Sequence, residues 1–222
     1  MKRLYQRILG GLLCGIMCGT ALTGLTGCSR DKKETEIPSV TAAPEQVSYE
    51  DLIFVGDSRF VGMDDALDGY CDADVRIVAE VGQGLAWLKK TIPDLYGESG
   101  KTIIFNLGVN DLYNASAYVE FYNNLPQDFV ENNTLIIMTV NPVDEQREAE
   151  CGYAIKNADI ETFNDTMKNS LDKICFKMID SYTYVSMCKF GTTDGLHYTN
   201  QTYRLIFDYA VDCCRNRNFV KR

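Results

Sequence analysis

The stretch "DLIFVGDSRFVG", residues 51–62, joins an apolar run to a short polar turn. Its apolar residues are continuous rather than alternating, as expected of a strand that is buried on both faces of a parallel sheet. Four further runs of this kind, rich in Ile and Val, follow it: "DVRIVAEVG" (74–82), "KTIIFNLG" (101–108), "NTLIIMTV" (133–140) and "ICFKMID" (174–180). The sequence therefore predicts five parallel strands.

Amphipathic helical patterns separate these apolar runs. Two of them show a clear stripe, formed by Ile160, Phe163, Met167 and Leu171 in one segment and by Tyr203, Ile206, Phe207, Ala210 and Cys214 in another. Alternation of strands and helices predicts an α/β protein with three α/β/α layers and a doubly wound, five-stranded parallel sheet of the flavodoxin-like type. We assign this domain to residues 48–222.

Three residues suited to chemistry follow successive strands of the predicted sheet. Ser58 follows the first run, Gly84 the second and Asn110 the third, at a constant spacing of 26 residues. Because the carboxyl ends of parallel strands meet at one edge of the sheet, where ligands bind in such folds, we expect the three residues to lie at the same edge.

Four sequence blocks in this region together resemble the SGNH (GDSL-type) serine hydrolases. They are Gly56-Asp57-Ser58 in "FVGDSRFVG", Gly82 and Gly84 in "VGQGL", Gly108, Asn110 and Asp111 in "LGVND", and Asp194 and His197 in "TDGLH". The blocks occur in the order that the family shows, and the resemblance runs from about residue 51 to 212. It implies the SGNH hydrolase fold and the chemistry of a serine esterase.

The resemblance implies a catalytic triad of Ser58, His197 and Asp194. A serine hydroxyl needs an adjacent base to act as a nucleophile at neutral pH. His197 is the only histidine in the chain, and histidine, with an unperturbed pKa of about 6.5, is suited to moving a proton. Asp194, three residues earlier, would accept the Nδ1–H bond of His197, which leaves Nε2 facing the serine.

The resemblance also implies an oxyanion hole, formed by the backbone N–H groups of Ser58 and Gly84 and by the side-chain amide of Asn110. Gly84 is preferred to Gly82 because it directly precedes the helical run "LAWLKK". Each member of the site also has a structural alternative. Ser58 could cap a helix, residues 194–195 could form a simple turn, and His197 could be a buried core residue.

Other residues near the blocks are expected to have supporting roles. Asp57 and Asp111 are expected to shape their loops, and Trp87 is expected to pack in a helix. Arg59 stands where the GDSL motif has leucine. We expect this position to line the substrate pocket, so the family's acyl-chain preference does not carry over.

The N-terminus has the pattern of an export signal. Basic residues precede an apolar run that ends in "LTGC", which resembles the lipobox of bacterial lipoproteins. We predict a lipoprotein signal peptide at 1–27, lipidation of Cys28 and a flexible tether at 28–47. The protein would be extracytoplasmic and anchored to the bacterial cell membrane by its lipid alone. A plain signal peptide and an uncleaved membrane anchor are the alternatives.

Charge and cysteine content argue against two classes of protein, those that bind nucleic acid and those that hold a zinc site. The formal net charge is −9, which argues against nucleic-acid binding. Loss of residues 1–27 removes three basic residues, which leaves 19 basic against 31 acidic residues, a charge of −12. Six cysteines would remain besides Cys28, and they could form disulfides or stay as buried thiols. With one histidine and no CxxC pair, we expect no metal site, and the predicted chemistry needs no cofactor.

These features predict an esterase that removes short acyl groups, acetyl above all, from a carbohydrate or another small polar ester. The chain has no long apolar lid insertion, which favours short acyl groups. Lysophospholipase or thioesterase activity and transfer of acyl groups to a glycan are the alternatives among enzymes. A non-catalytic binding lipoprotein on the same fold is the alternative outside them.

Overall fold

The computed structural model describes residues 48–70 and 75–221. The chain divides into the units Met1–Thr41 and Ala42–Arg222, and the described residues belong to the second. The predicted signal peptide and tether, together with Cys28 and Cys71, lie outside the described residues.

A five-stranded parallel sheet forms the centre of the domain. Its strands are β1 (Leu52–Gly56), β2 (Arg76–Ala79), β3 (Thr102–Asn106), β4 (Thr134–Met138) and β5 (Phe176–Ile179). They lie in the order β2-β1-β3-β4-β5, and every neighbouring pair is parallel. The predicted doubly wound α/β fold with five parallel strands is confirmed.

Helices connect the strands and cover both faces of the sheet. The described residues form α1 (Ser58–Leu67), α2 (Leu85–Thr91), α3 (Ala115–Asn123), α4 (Gln127–Asn132), α5 (Glu145–Glu150), α6 (Asn157–Ser170), α7 (Ser181–Met187) and α8 (Asn200–Asn216). The two predicted apolar stripes lie on α6, with Leu171 just after it, and on α8. All of their residues are buried.

Successive side chains of the central strands enter opposite cores, because side chains alternate between the two faces of a sheet. In β1, for example, Ile53 and Val55 pack with α2, α3 and α6, whereas Leu52 and Phe54 pack with α1 and α8. Both cores are built almost entirely from apolar residues. This explains why the strands are continuously hydrophobic in the sequence.

The five described cysteines, Cys151, Cys175, Cys188, Cys213 and Cys214, are free thiols. Cys213 and Cys214 are buried thiols, the second of the two expected possibilities, whereas Cys151 is exposed and Cys175 and Cys188 are half-buried. Among the described residues, no helix is long and apolar enough to cross a membrane.

Replacement of Ile104 by alanine tests the packing of the central strand β3. Ile104 is fully buried, so the change Ile104→Ala should lower the free energy of unfolding by about 2–5 kcal/mol. The same substitution at Ile174, which is 88% exposed, is the matched control and should change it by less than about 0.5 kcal/mol. Urea denaturation measures both, and equal losses would contradict the assigned core.

Candidate active site

The turn after β1 brings Ser58 to the carboxyl edge of the sheet. The strand ends at Gly56 and α1 begins at Ser58. The helix is capped by Asp57, whose Oδ1 accepts a hydrogen bond from the backbone N–H of Arg59 at 3.0 Å. The alternative that Ser58 is the cap is therefore wrong. Its hydroxyl is left for other contacts, although Ser58 is only 6% exposed.

Three side chains distant in sequence form a continuous chain of hydrogen bonds at this edge. The Oγ of Ser58 lies 2.9 Å from Nε2 of His197. On the other side of the ring, Nδ1 lies 2.7 Å from Oδ2 of Asp194. The side chains of His197 and Asp194 are 30% and 27% exposed, so the imidazole is neither enclosed in the core nor free at the surface. This is the geometry of a Ser-His-Asp triad.

The carboxylate of Asp194 also holds the backbone of its own loop. Its Oδ1 accepts hydrogen bonds from the backbone N–H groups of Leu196 (3.0 Å) and His197 (2.7 Å). Burial raises the pKa of Asp194, but the hydrogen bonds from His197 and Leu196 outweigh burial and lower the pKa below its ordinary value. Asp194 is therefore held as a carboxylate that faces the imidazole.

Helix α5 fixes this loop from behind. The backbone N–H of Asp144 donates to the carbonyl of Gly195 at 2.9 Å, and the guanidinium of Arg147 donates to the carbonyl of Thr193 at 3.2–3.3 Å. Gly195 has φ +92°, and a Cβ there would lie 2.2 Å from the backbone nitrogen of Glu148. Only glycine satisfies both the conformation and the close approach at this position.

The two remaining candidate residues meet between the loops after β2 and β3. Nδ2 of Asn110 donates to the carbonyl of Gln83 at 2.8 Å, and a carboxamide has a second N–H for another acceptor. Gly84 is the residue before α2, and a Cβ there would lie 2.5 Å from Oδ2 of Asp111. By contrast, Gly82 has φ +74° and open space around it. Gly84 and Asn110 therefore belong to one joined pair of loops.

The expected supporting residues have clear structural contacts. Asp111 accepts hydrogen bonds from the backbone N–H of Leu85 at 3.0 Å and from the hydroxyl of Tyr118 at 2.8 Å. It therefore ties the start of α2 to α3. Trp87 packs against the core and donates its Nε1–H to Glu80 at 2.9 Å.

The expectation for Arg59 is wrong. Its side chain is 2% exposed and does not line an open pocket. Its Nη1 donates to the carbonyl of Asn141 at 2.8 Å, and its guanidinium lies 5.4 Å from the ring centre of Tyr198. The burial of Arg59 has no signal in the sequence. Its partners, Asn141 and Tyr198, lie more than 80 residues away and belong to no motif that points to Arg59.

The described residues include no group of three or more His, Cys, Asp and Glu side chains that could hold a metal ion.

Known proteins resemble this chain in structure rather than in sequence. No protein-family model and no curated protein matches it. A proposed platelet activating factor from Streptococcus pneumoniae is 20% identical, with a TM-score of 0.60 over 74% of this chain and 83% of its own. A proposed SGNH hydrolase from Slackia heliotrinireducens is 17% identical, with a TM-score of 0.54 over 72% of this chain and 96% of its own.

A third similar structure is the C-terminal catalytic domain of peptidoglycan O-acetyltransferase A from Streptococcus pneumoniae, solved with a methylsulfonyl adduct. It is 16% identical, with a TM-score of 0.56 over 76% of this chain and 95% of that domain. At these identities the similarity establishes the fold. The chain has the α/β fold of the SGNH hydrolases.

Replacement of Asp57 by asparagine tests the buried cap beside Ser58. Burial raises the pKa of the Asp57 carboxyl from 3.8 to about 6, although the charge of Arg59 and its backbone N–H oppose the rise. Because the folded-state pKa is the higher one, the carboxyl contributes most stability at low pH and loses it as the pH rises through about 6. Asparagine keeps the cap and does not titrate.

The free energy of unfolding of the wild type, relative to that of Asp57→Asn, should therefore fall by up to about 3 kcal/mol between about pH 4 and pH 7. Urea denaturation at the two pH values measures this change. Asp144→Asn, the same substitution at the exposed N-cap of α5, controls for the cap itself. A wild type that gained stability relative to Asp57→Asn over this range would contradict the assignment.

Proposed function

We propose that this protein is a serine esterase that removes short acyl groups, acetyl above all, from a carbohydrate or another small polar ester. The observation that carries the proposal is the unbroken chain of hydrogen bonds from Ser58 through His197 to Asp194. Each of these contacts has the distance and the atoms that acyl transfer through a serine requires.

In the proposed reaction, Oγ of Ser58 attacks the ester carbonyl carbon while its proton moves to Nε2 of His197. The carboxylate of Asp194 stabilises the imidazolium that forms. Collapse of the tetrahedral intermediate breaks the bond to the alcohol, which leaves with the proton from His197. The acyl-serine is then attacked by water, whose proton passes to His197. Collapse of this second intermediate breaks the acyl–Oγ bond, the proton on His197 returns to Oγ of Ser58, and the acid is released.

The negative charge of the intermediate would be stabilised by N–H donors from Ser58, Gly84 and Asn110. The bond from Asn110 to the carbonyl of Gln83 supports this role, because it fixes the orientation of the amide before substrate binds. Preorganised donors of this kind are each worth on the order of 10²–10³ in rate.

Transfer of an acyl group to a sugar hydroxyl is the second candidate. The similarity in fold to the catalytic domain of a peptidoglycan O-acetyltransferase favours it. The same acyl-serine would form, and a hydroxyl would replace water in the second step. One experiment distinguishes the two reactions. The protein is incubated with p-nitrophenyl acetate, with and without a chito-oligosaccharide acceptor, and the amounts of free acetate and of acetylated sugar are measured. Free acetate indicates hydrolysis, and acetylated sugar indicates transfer.

Labelling of Ser58 by a fluorophosphonate probe tests the proposed nucleophile. The wild type should be labelled and should hydrolyse short p-nitrophenyl esters, and Ser58→Ala should lose both because the attacking oxygen is gone. Ser186→Ala, a matched change of an exposed serine on α7, should retain both. A wild type that is not labelled would favour a binding protein on this fold, and labelling that persists in Ser58→Ala would place the nucleophile elsewhere.

We further propose that the protein is an extracytoplasmic lipoprotein, anchored to the bacterial membrane through lipidated Cys28. The proposal is supported by the "LTGC" pattern after the basic and apolar N-terminal segment. The acidic remainder of the chain, with a charge of −12, would be repelled by an anionic membrane surface and so held away from it.

Mass spectrometry of the membrane-bound protein tests the anchor. The N-terminal residue should be a lipid-modified Cys28, and Cys28→Ser should abolish the modification and reduce membrane attachment because serine cannot form the thioether. An intact Met1 on the membrane-bound wild type would contradict lipidation.

A further inference from the structure

Arg59, the residue after the proposed nucleophile, contacts two other loops of the site. Its Nη1 donates to the carbonyl of Asn141 at 2.8 Å, in the segment that leads to α5. Its guanidinium lies 5.4 Å from the ring centre of Tyr198, the residue after His197. Arg59 and Tyr198, the residues that directly follow Ser58 and His197, are thus also neighbours in the fold.

This arrangement places a full positive charge in the interior. Arg59 is 2% exposed, and its Nε and Nη2 have no hydrogen-bond partner among the described residues. Two buried acidic residues, Asp57 and Glu148, are electrostatically coupled to this charge. Burial raises the pKa of both Asp57 and Glu148, and the charge of Arg59 opposes the rise in each case. The contacts of the guanidinium are thus the carbonyl of Asn141 and the ring of Tyr198, and the two carboxyls act on it only through their charge.

Stability alone is a poor explanation for a buried guanidinium that leaves two of its nitrogens without a hydrogen-bond partner in the described part of the chain. Desolvation of buried charges offsets most of their attraction, and apolar residues of similar size often replace them without loss of stability. A leucine at position 59, as in the GDSL motif, would keep an apolar side chain there but would lack the donor to Asn141. Unlike leucine, the rigid, planar guanidinium fixes two groups relative to each other. It contacts a carbonyl and an aromatic face in defined directions at the same time.

We propose that Arg59 is a positioning residue that holds the His197 loop and the segment before α5 in register with Ser58. The inference rests on the proposed function. Arg59 does not touch the substrate; it acts through Tyr198 and Asn141 on the placement of the imidazole. A small displacement of a catalytic group lowers the rate of the chemical step more than it lowers substrate binding.

The test compares Arg59→Leu and Arg59→Lys with the wild type. The rate of fluorophosphonate labelling, kcat and KM for p-nitrophenyl acetate, and Tm are measured on each purified protein. Arg59→Leu should lower the labelling rate and kcat per active site by about 10- to 100-fold, with KM within about 2-fold and most of the Tm retained. Arg59→Lys keeps the charge and one donor and should recover part of the rate.

Arg204→Leu is the matched control. Arg204 also donates to a backbone carbonyl, that of Ala66, and lies 4.8 Å from the ring centre of Tyr70. These contacts join α8 to α1 and Tyr70 and include no residue of the site, so the labelling rate should not change.

An Arg59→Leu protein that reacts as fast as the wild type would overturn the inference and leave the esterase proposal intact. If Arg59→Leu does not fold, Arg59→Lys decides, because lysine lacks the planar contact with Tyr198. A slower rate at unchanged Tm then supports the inference, and an unchanged rate overturns it. A wild type that reacts with neither probe nor ester overturns both proposals.

Discussion

The candidate active site depends on a segment of the chain that returns across the carboxyl edge of the sheet. Ser58 follows β1, whereas His197 belongs to a loop that comes after β5 at the edge of the sheet. Three strand spacings separate β1 from β5, roughly 14 Å at about 4.8 Å per spacing. The bond between Ser58 and His197 therefore forms only if the chain after α7 turns back over the carboxyl ends of β4 and β3.

Most of the hydrogen bonds that hold the returning loop have a backbone group of the loop as one partner. Asp194 accepts from two N–H groups of its own loop, and Gly195 packs against α5 with its carbonyl bonded to Asp144. Residues Thr192 and Tyr198 form an isolated antiparallel bridge that closes the loop. Backbone contacts of this kind leave little freedom in the position of the imidazole. The position of His197 is therefore set by the contacts of its loop with the rest of the domain.

Much of the fold and the members of the candidate site were predictable from sequence. The strands were visible because both sheet faces are buried, which leaves the middle of β1, β3 and β4 entirely apolar. Ser58 and His197 were visible because the four motif blocks occur in the order that the resembled family shows. The burial of Arg59 was not, since it depends on Asn141, Glu148 and Tyr198 meeting in space. The bond from Asn110 to the carbonyl of Gln83 is likewise a property of loop conformation and not of residue type.

The close approach of Gly84 to Asp111 links two positions that are 27 residues apart. A methyl group at Gly84 would occupy the space of the carboxylate that receives the N–H of Leu85 and the hydroxyl of Tyr118. A bulkier residue at 84 would therefore displace the Asp111 carboxylate from the N–H of Leu85 and the hydroxyl of Tyr118. A substitution at either position therefore affects the loop after β2 and the loop after β3 together.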